Sequence, residues 1–138
     1  MNKTAVIYWS GTGNTQAMAV AVADGAKEAG ADVDLLNCAD VSDISIYDTV
    51  VLGCPAMGAE ELEDSEFVPC LDSIEGALAG KKVALFGSYG WGDGEWMRSW
   101  EERCAEKGIA LCTQSVICNE APDDEAVAGC RALGAALV

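Results

Sequence analysis

Residues 8–15 read Tyr-Trp-Ser-Gly-Thr-Gly-Asn-Thr and follow an apolar run that begins at Ala5. A strand that ends in a loop of small residues and then enters a helix directs amide groups and the positive end of the helix dipole into one concavity. Gly11 and Gly13 let the backbone approach a ligand closely. The loop adds four uncharged side-chain donors, namely Ser10, Thr12, Asn14 and Thr15. This stretch therefore predicts an anion-binding loop at the start of a helix.

The loop lacks the residues that two common nucleotide-binding loops require. No Lys follows the glycines to meet β- and γ-phosphates, as it does in a Walker loop. Gln16 stands where the dinucleotide fingerprint has Gly or Ala, and no acidic residue sits cleanly at the end of the second strand to hold a ribose. These departures favour a site for one terminal phosphate. An ordinary turn without a ligand is the weaker alternative, because four donors between glycines are unusual for a turn.

The length and composition predict one domain that spans residues 1–138. Hydrophobic residues make up 51% of the chain, which excludes a disordered protein. The apolar runs are too short to cross a bilayer and the N-terminus lacks a signal-peptide pattern. We therefore expect a cytoplasmic protein.

The charged and reactive residues exclude several functions. The formal net charge of −15, from 23 acids and 8 bases, disfavours binding to nucleic acid or to an anionic membrane. This charge suits a basic partner protein, although solubility alone would also explain it. The chain has no His, which weakens hydrolase and metalloenzyme interpretations. Its seven Cys residues contain no C-x-x-C pair and are expected to be reduced, mostly buried small hydrophobes.

Hydrophobic periodicity predicts five strands that alternate with four helices. The predicted strands cover residues 4–9, 32–37, 47–54, 82–88 and 109–118. The predicted helices cover residues 15–29, 67–78, 97–108 and 122–137. This alternation predicts an α/β fold with a doubly wound, five-stranded parallel sheet in the order 2-1-3-4-5 and helices on both faces.

Such a sheet binds ligands beyond the carboxyl ends of its strands, at the point where the strand order reverses. Loops 10–15, 55–64 and 89–94 are expected to converge there, and the segment 119–123 is a further candidate.

Met57 and Trp91 are large residues in loops of small ones, and a planar aromatic ligand between thioether and indole would explain both. Packing of each side chain on its own loop is the alternative.

Acidic residues are concentrated at this predicted ligand-binding end. Eleven of the 23 acids fall in residues 60–66, 93–95 and 120–125, and these stretches contain no Lys or Arg. An anionic substrate would be repelled there. A cofactor that becomes an anion on reduction would be destabilised, which lowers its reduction potential.

Three segments of the chain resemble the short-chain FMN flavodoxins of anaerobic bacteria. They are YWSGTGNT (8–15), LGCPAMG (52–58) and FGSYGWGDGEWM (86–97), and the resemblance covers the whole chain. It implies FMN held without a covalent bond, in a low-potential one-electron carrier that passes between oxidised, semiquinone and hydroquinone states. It also implies redox partner proteins with basic docking surfaces, no substrate chemistry, no metal, and a monomer.

The resemblance implies three groups of cofactor-binding residues. The phosphate would lie on Ser10, Gly11, Thr12, Gly13, Asn14 and Thr15, and the isoalloxazine ring between Met57 and Trp91. The ring edge and ribityl chain would meet the loops that contain Pro55, Ala56, Gly58, Ala59, Glu60, Ser88, Tyr89, Gly90 and Gly92.

The segment Met57-Gly58-Ala59-Glu60 is expected to form a four-residue turn in this site. Gly58 occupies the first central position, and a type II′ turn needs positive φ there. The resemblance implies that a carbonyl of this turn accepts a hydrogen bond from flavin N5–H after reduction. Ala59 departs from the relatives, which often have Asp or Asn at this position.

Two other functions fit the same fold. An FMN-dependent NAD(P)H reductase is the first, but the loops that carry motifs leave no evident second nucleotide pocket. A cofactor-free phosphate-sensing regulatory domain is the second. That class needs an acidic cluster at the end of the first strand, where this chain has Trp9-Ser10-Gly11.

Overall fold

The structure is a computed structural model that describes residues 3–41, 43–58 and 60–138. Its described residues form one sheet of five parallel strands, in the order β2-β1-β3-β4-β5. The strands are β1 (Lys3–Tyr8), β2 (Asp32–Asn37), β3 (Thr49–Gly53), β4 (Lys82–Tyr89) and β5 (Val116–Asn119). The predicted fold class and strand order are therefore confirmed.

Four α-helices cover the two faces of the sheet. They are α1 (Asn14–Glu28), α2 (Phe67–Ile74), α3 (Glu95–Glu106) and α4 (Asp124–Ala136). One core lies between the sheet and the pair α1 and α4, and the other lies between the sheet and the pair α2 and α3. Gly25 permits close contact of α1 with α4, because a Cβ there would lie 2.0 Å from the carbonyl oxygen of Arg131.

The central strands are buried on both faces, as their continuous apolar runs predict. Val6 of β1, Val51 of β3 and Ala84 of β4 have no exposed surface. The register pairs Tyr8 with Gly53 and Gly53 with Phe86, so these strands reach the same edge of the sheet together. The loops that follow β1, β3 and β4 therefore leave from one edge.

Several predicted elements are shorter than the periodicity indicates, among them β3, which was expected over residues 47–54 and covers Thr49–Gly53. The last strand was expected over residues 109–118, but β5 covers only Val116–Asn119. Before it, Leu111 makes a single parallel bridge to Val83. The polar run 113–115 interrupts the apolar pattern there. Helix α2 ends at Ile74 and continues as the 3₁₀ turn Glu75–Ala77. Gly76, a poor helix former, lies in this turn.

The described residues bear on three further expectations. All seven Cys residues are free, and four of them are buried. No group of residues in the described ranges is suited to hold a metal ion. Among the helices of this part of the chain, none has the length and apolar character that crossing a membrane requires.

Candidate cofactor site

A cleft of about 600 Å³ opens where β1, β3 and β4 end. Its volume lies in the range that small-molecule and cofactor sites occupy. Twelve predicted site residues line it, namely Ser10, Gly11, Thr12, Asn14, Thr15, Pro55, Ala56, Met57, Ser88, Tyr89, Gly90 and Trp91. Trp9, Glu120 and Ala121 complete the lining. Three of the four predicted ligand loops thus meet at this cleft, and the fourth contributes two residues.

Four predicted site residues do not line the cleft, and a fifth lies outside the residues that the structure describes. Gly13, Gly58, Glu60 and Gly92 lie outside its lining. Ala59 lies outside the residues that the structure describes.

The loop after β1 is shaped by a hydrogen bond within the loop itself. The amide N–H of Gly13 donates to Ser10 Oγ at 3.0 Å, and the Gly13 carbonyl accepts the amide of Ala17 at 3.0 Å. Gly13 has a φ of 96°, in the left-handed region that glycine adopts without strain. As the N-cap of α1, it brings no side chain to the first turn of the helix. The loop thus starts α1 while its hydroxyl and amide groups border the cleft.

Thr15 has a buried hydroxyl group without a hydrogen-bond partner among the described residues. Its side chain lines the cleft, and only 1% of the residue is exposed. Within the described part of the chain, its Oγ1 has no hydrogen-bond partner. Buried polar atoms almost always have a partner, so an unpaired hydroxyl in a cleft indicates an acceptor that is bound there.

The opposite end of the cleft is bordered by two large side chains that are partly exposed. Met57 is 37% exposed and Trp91 is 54% exposed, and both line the cleft. Trp91, at 54% exposure of the whole residue, is not fully packed on its own loop. This exposure favours the prediction of a planar ligand over the alternative of local packing.

The turn after Met57 is longer than the sequence indicated. The amides and carbonyls of Met57 and Glu61 exchange two hydrogen bonds of 2.8 Å. The turn therefore closes between residues 57 and 61, not between 57 and 60. Gly58 has the positive φ that was expected, 53°, and Glu60 has a φ of 55° that was not foreseen. We call residues 57–61 the 57–61 turn.

Glu60 and Gly92 connect this turn to α3. The Glu60 carboxylate accepts the amide N–H of Glu95 at 3.1 Å, at the N-terminus of α3. A Cβ at Gly92 would lie 2.4 Å from Glu60 Cδ, so only glycine leaves room for this carboxylate. Glu60 and Gly92 therefore stabilise the neighbouring cleft loops through contacts outside the cleft lining.

Segment 119–121 is attached to the loop that follows β4. The Glu120 amide donates to the Tyr89 carbonyl at 2.7 Å, and the Ser88 hydroxyl donates to the Glu120 carbonyl at 2.7 Å.

Trp9 was not predicted to line the cleft. Its Nε1 donates to Glu66 at 3.3 Å, and its ring lies 3.0 Å from where a Cβ of Gly11 would stand. The sequence did offer a signal for Trp9, because it is a large residue directly before the predicted anion-binding loop.

The chemistry of the cleft does not include a reactive thiol. Cys54 directly precedes the Pro55 loop and is fully buried. Burial raises the pKa of its thiol to about 12, so it is protonated at neutral pH. The arrangement can hold an anion at one end and a flat apolar group at the other.

Comparison with known proteins identifies similar chains over nearly the whole length. The family profile described as Flavodoxin matches residues 6–134. The flavodoxin of Megasphaera elsdenii is 47% identical over 133 residues, which cover 95% of each chain. The flavodoxin of Clostridium beijerinckii is 49% identical over 121 residues, covering 86% of this chain and 88% of the relative. The solution structure of two-electron reduced Megasphaera elsdenii flavodoxin superposes with a TM-score of 0.89, at 46% identity and 97% coverage of both chains.

Proposed function

This chain belongs to the flavodoxin family, and we propose that its cleft binds FMN with the phosphate on residues 10–15 and the ring between Met57 and Trp91. The protein is an FMN-binding electron carrier and not an enzyme. Bound FMN supplies the electron-accepting group, and the chain binds, orients and shields it. The observation that carries the proposed placement is the unpaired, buried hydroxyl of Thr15.

The phosphate end has the donor set that a terminal phosphate requires. Residues 10–15 contain hydroxyl, amide and backbone N–H groups but no cation. Hydrogen bonds from neutral donors to a charged phosphate are short and strong, and the N-terminus of α1 adds the positive end of its dipole. Thr15 and Thr12 would donate their hydroxyls to this phosphate.

The ring end has the features of a stacking site. Met57 and Trp91 would contact the two faces of the isoalloxazine and exclude water from them, which explains why both are exposed without it. The 57–61 turn would lie at the ring edge, where its backbone carbonyls can accept hydrogen bonds. Ser88, Tyr89 and Gly90 would face the ribityl chain.

Acidic residues around this end would serve two purposes. A groove of about 480 Å³ is lined by Glu61, Asp64 and Glu95. Glu60 of the 57–61 turn also lines this groove. Their negative charges would disfavour an anionic reduced cofactor and so keep its potential low. They would also attract redox partner proteins with basic docking surfaces and accelerate encounter. We propose that the protein acts as a cytoplasmic monomer.

An NAD(P)H reductase is not favoured. The described residues that line the cleft include no Lys or Arg to hold the phosphates of a second nucleotide. The acids around it would also repel a dinucleotide.

Visible spectroscopy of the FMN-loaded protein tests this function. During stepwise chemical reduction, a carrier is expected to pass through a stable one-electron form. It is also expected to show no steady oxidation of NADH or NADPH. Rapid turnover with either nucleotide would identify a reductase, and failure to take up FMN would exclude both functions.

A further inference from the structure

The side chain of Glu63 is buried and ends in a cluster of hydrogen-bond donors. The residue is 5% exposed. Its Oε1 accepts the amides of Glu66 and Phe67 at 2.8 Å each, and its Oε2 accepts the Ser65 amide at 3.0 Å and the Ser65 hydroxyl. Glu66 is the N-cap residue of α2 but makes no side-chain cap. Glu63 therefore satisfies the first amides of α2 in its place.

The backbone of Glu63 makes a second set of contacts. Its amide N–H donates to Cys54 Sγ at 3.4 Å, and its carbonyl accepts the Val68 amide at 3.0 Å. Cys54 is the residue at which the chain leaves β3 for the cleft loop. The chain thus departs from Cys54, forms the 57–61 turn and returns to Cys54 at Glu63. Glu63 closes the base of the loop that carries the turn.

The environment of Glu63 keeps its carboxylate ionised. Burial alone would raise its pKa, but the hydrogen bonds from Ser65, Phe67 and Glu66 lower the pKa below its usual 4.5. An ionised acceptor makes stronger hydrogen bonds than a neutral one. A buried carboxylate that loses these donors would carry a large desolvation cost, so the arrangement resists opening.

We propose that Glu63 is a positioning residue that holds the 57–61 turn in the shape it presents to FMN. Its carboxylate fixes the start of α2 and its amide fixes Cys54, so contacts within the chain anchor the turn on both sides. The effect on FMN rests on the proposed function above. The effect on the turn itself does not, because the contacts of Glu63 that carry it all lie within this chain.

The first test compares Glu63→Gln with the wild-type chain in the FMN-free state. The Gln side chain turns an NH₂ group toward amide donors and removes the charge. We expect the amides of Met57 and Glu61, which close the turn, to exchange with solvent at least tenfold faster. Asp123→Asn is the matched control, because Asp123 caps α4 through the Ala126 amide at 2.8 Å and does not line the cleft. It should leave exchange at Met57 and Glu61 unchanged.

The second test measures the first one-electron potential of the FMN-loaded variants. In Glu63→Gln the 57–61 turn is expected to be less ordered before reduction. The free energy needed to order it makes the first reduction step less favourable. We expect Glu63→Gln to reduce the equilibrium constant of the first step about tenfold, which corresponds to about 59 mV. Asp123→Asn should shift this potential by no more than the roughly 15 mV expected of one charge about 12 Å away, because it also removes a carboxylate charge while Asn still caps α4.

Ser65→Ala decides the question if Glu63→Gln does not fold. It removes one hydroxyl donor from the same carboxylate, and a change of about threefold in the same direction is expected in both measurements. Wild-type exchange at Met57 and Glu61 in every folded variant would overturn the proposal, and so would an unchanged first potential. A wild-type protein that takes up no FMN would instead refute the proposed function, and the exchange measurement would still test Glu63.

Discussion

The two ends of the cleft are built in different ways. The phosphate end is one continuous stretch, residues 10–15, which a hydrogen bond between Ser10 and Gly13 shapes from within. The ring end joins loops that are more than 30 residues apart in sequence, and its walls Met57 and Trp91 are 37% and 54% exposed. Contacts outside the cleft, such as Glu60 with Glu95, hold this end in place. The difference suggests that the phosphate end sets the affinity for FMN and the ring end sets its potentials.

Removal of the Thr15 hydroxyl should have the largest effect and should separate binding from stability. Thr15→Val keeps the shape of the side chain but loses a donor to a charged phosphate, a loss of about 1.5–3 kcal/mol. FMN affinity, measured by titration of the FMN-free protein, should fall between tenfold and a hundredfold. The same change removes a buried unpaired hydroxyl. The FMN-free protein should therefore unfold at a higher denaturant concentration.

Two controls belong to the Thr15 experiment. Thr15→Ser restores the hydroxyl and should recover most of the affinity. Thr113→Val changes a Thr that does not line the cleft and should leave FMN binding unaltered. If Thr15→Val binds FMN with wild-type affinity, the Thr15 hydroxyl does not hold the FMN phosphate.

Trp91→Ala should weaken FMN binding less than the change at Thr15. Loss of aromatic stacking costs about 0.5–1.5 kcal/mol, which is about threefold to tenfold in affinity. The fluorescence of bound flavin should rise, because the indole that quenches it is gone. Ile46→Ala, at a side chain that is 61% exposed and lies outside the cleft lining, is the control and should change neither quantity. Unchanged fluorescence in Trp91→Ala would place the indole away from the ring.

Gly58→Thr should affect potential more than affinity. Its φ of 53° costs a residue with a Cβ about 1–2 kcal/mol. Part of this strain should disfavour the turn shape that meets the ring edge, so the first one-electron potential should fall by about 30 mV, a threefold change. Gly76→Thr, at a glycine far from the cleft lining and without a positive φ, should leave the potential at its wild-type value. A potential that is equal in both variants would contradict a role for the 57–61 turn.

The smallest effect is expected from the exposed acids. The structure separates them from Glu60 and Glu63, whose carboxylates accept backbone amides, so Glu61 and Asp64 are the suitable pair. A charge about 12 Å away in water shifts a one-electron potential by roughly 15 mV. Glu61→Gln with Asp64→Asn should raise the second potential by roughly twice that amount at low salt, and by less at high salt. No change at low ionic strength would leave these acids a role in docking or solubility alone.

The sequence predicted the shape of the loop of residues 10–15 more completely than that of the 57–61 turn, for a physical reason. Strand, glycine spacing and hydroxyl residues are all local, so residues 10–15 could be read directly. The five-residue closure of the 57–61 turn depends on a pair of hydrogen bonds, and the supporting role of Glu60 depends on Gly92 and α3. These contacts join distant segments, and no local pattern encodes them. Glu63 differs from them, because its carboxylate accepts only nearby amides, those of Ser65, Glu66 and Phe67. Composition alone counts it with the other acids of residues 60–66 and does not reveal that it is buried.

Strand β5 illustrates the limit of periodicity in the fold. The apolar residues from 109 onward suggested a longer strand, yet only Val116–Asn119 pairs fully with β4. An edge strand needs hydrogen bonds on one side only, so the polar run 113–115 can leave the sheet at little cost. Of the central strands, which are buried on both faces, β1 and β4 match their predicted bounds to within one residue, and β3 is three residues shorter than predicted.

The most direct test is a titration of the FMN-free protein with FMN and, separately, with riboflavin, which lacks the phosphate. We expect FMN to bind one to one with quenched fluorescence, and riboflavin to bind at least a hundredfold more weakly. That ratio would place most of the affinity on residues 10–15, where Thr15 offers its unpaired hydroxyl. Equal affinity for the two flavins would contradict the account.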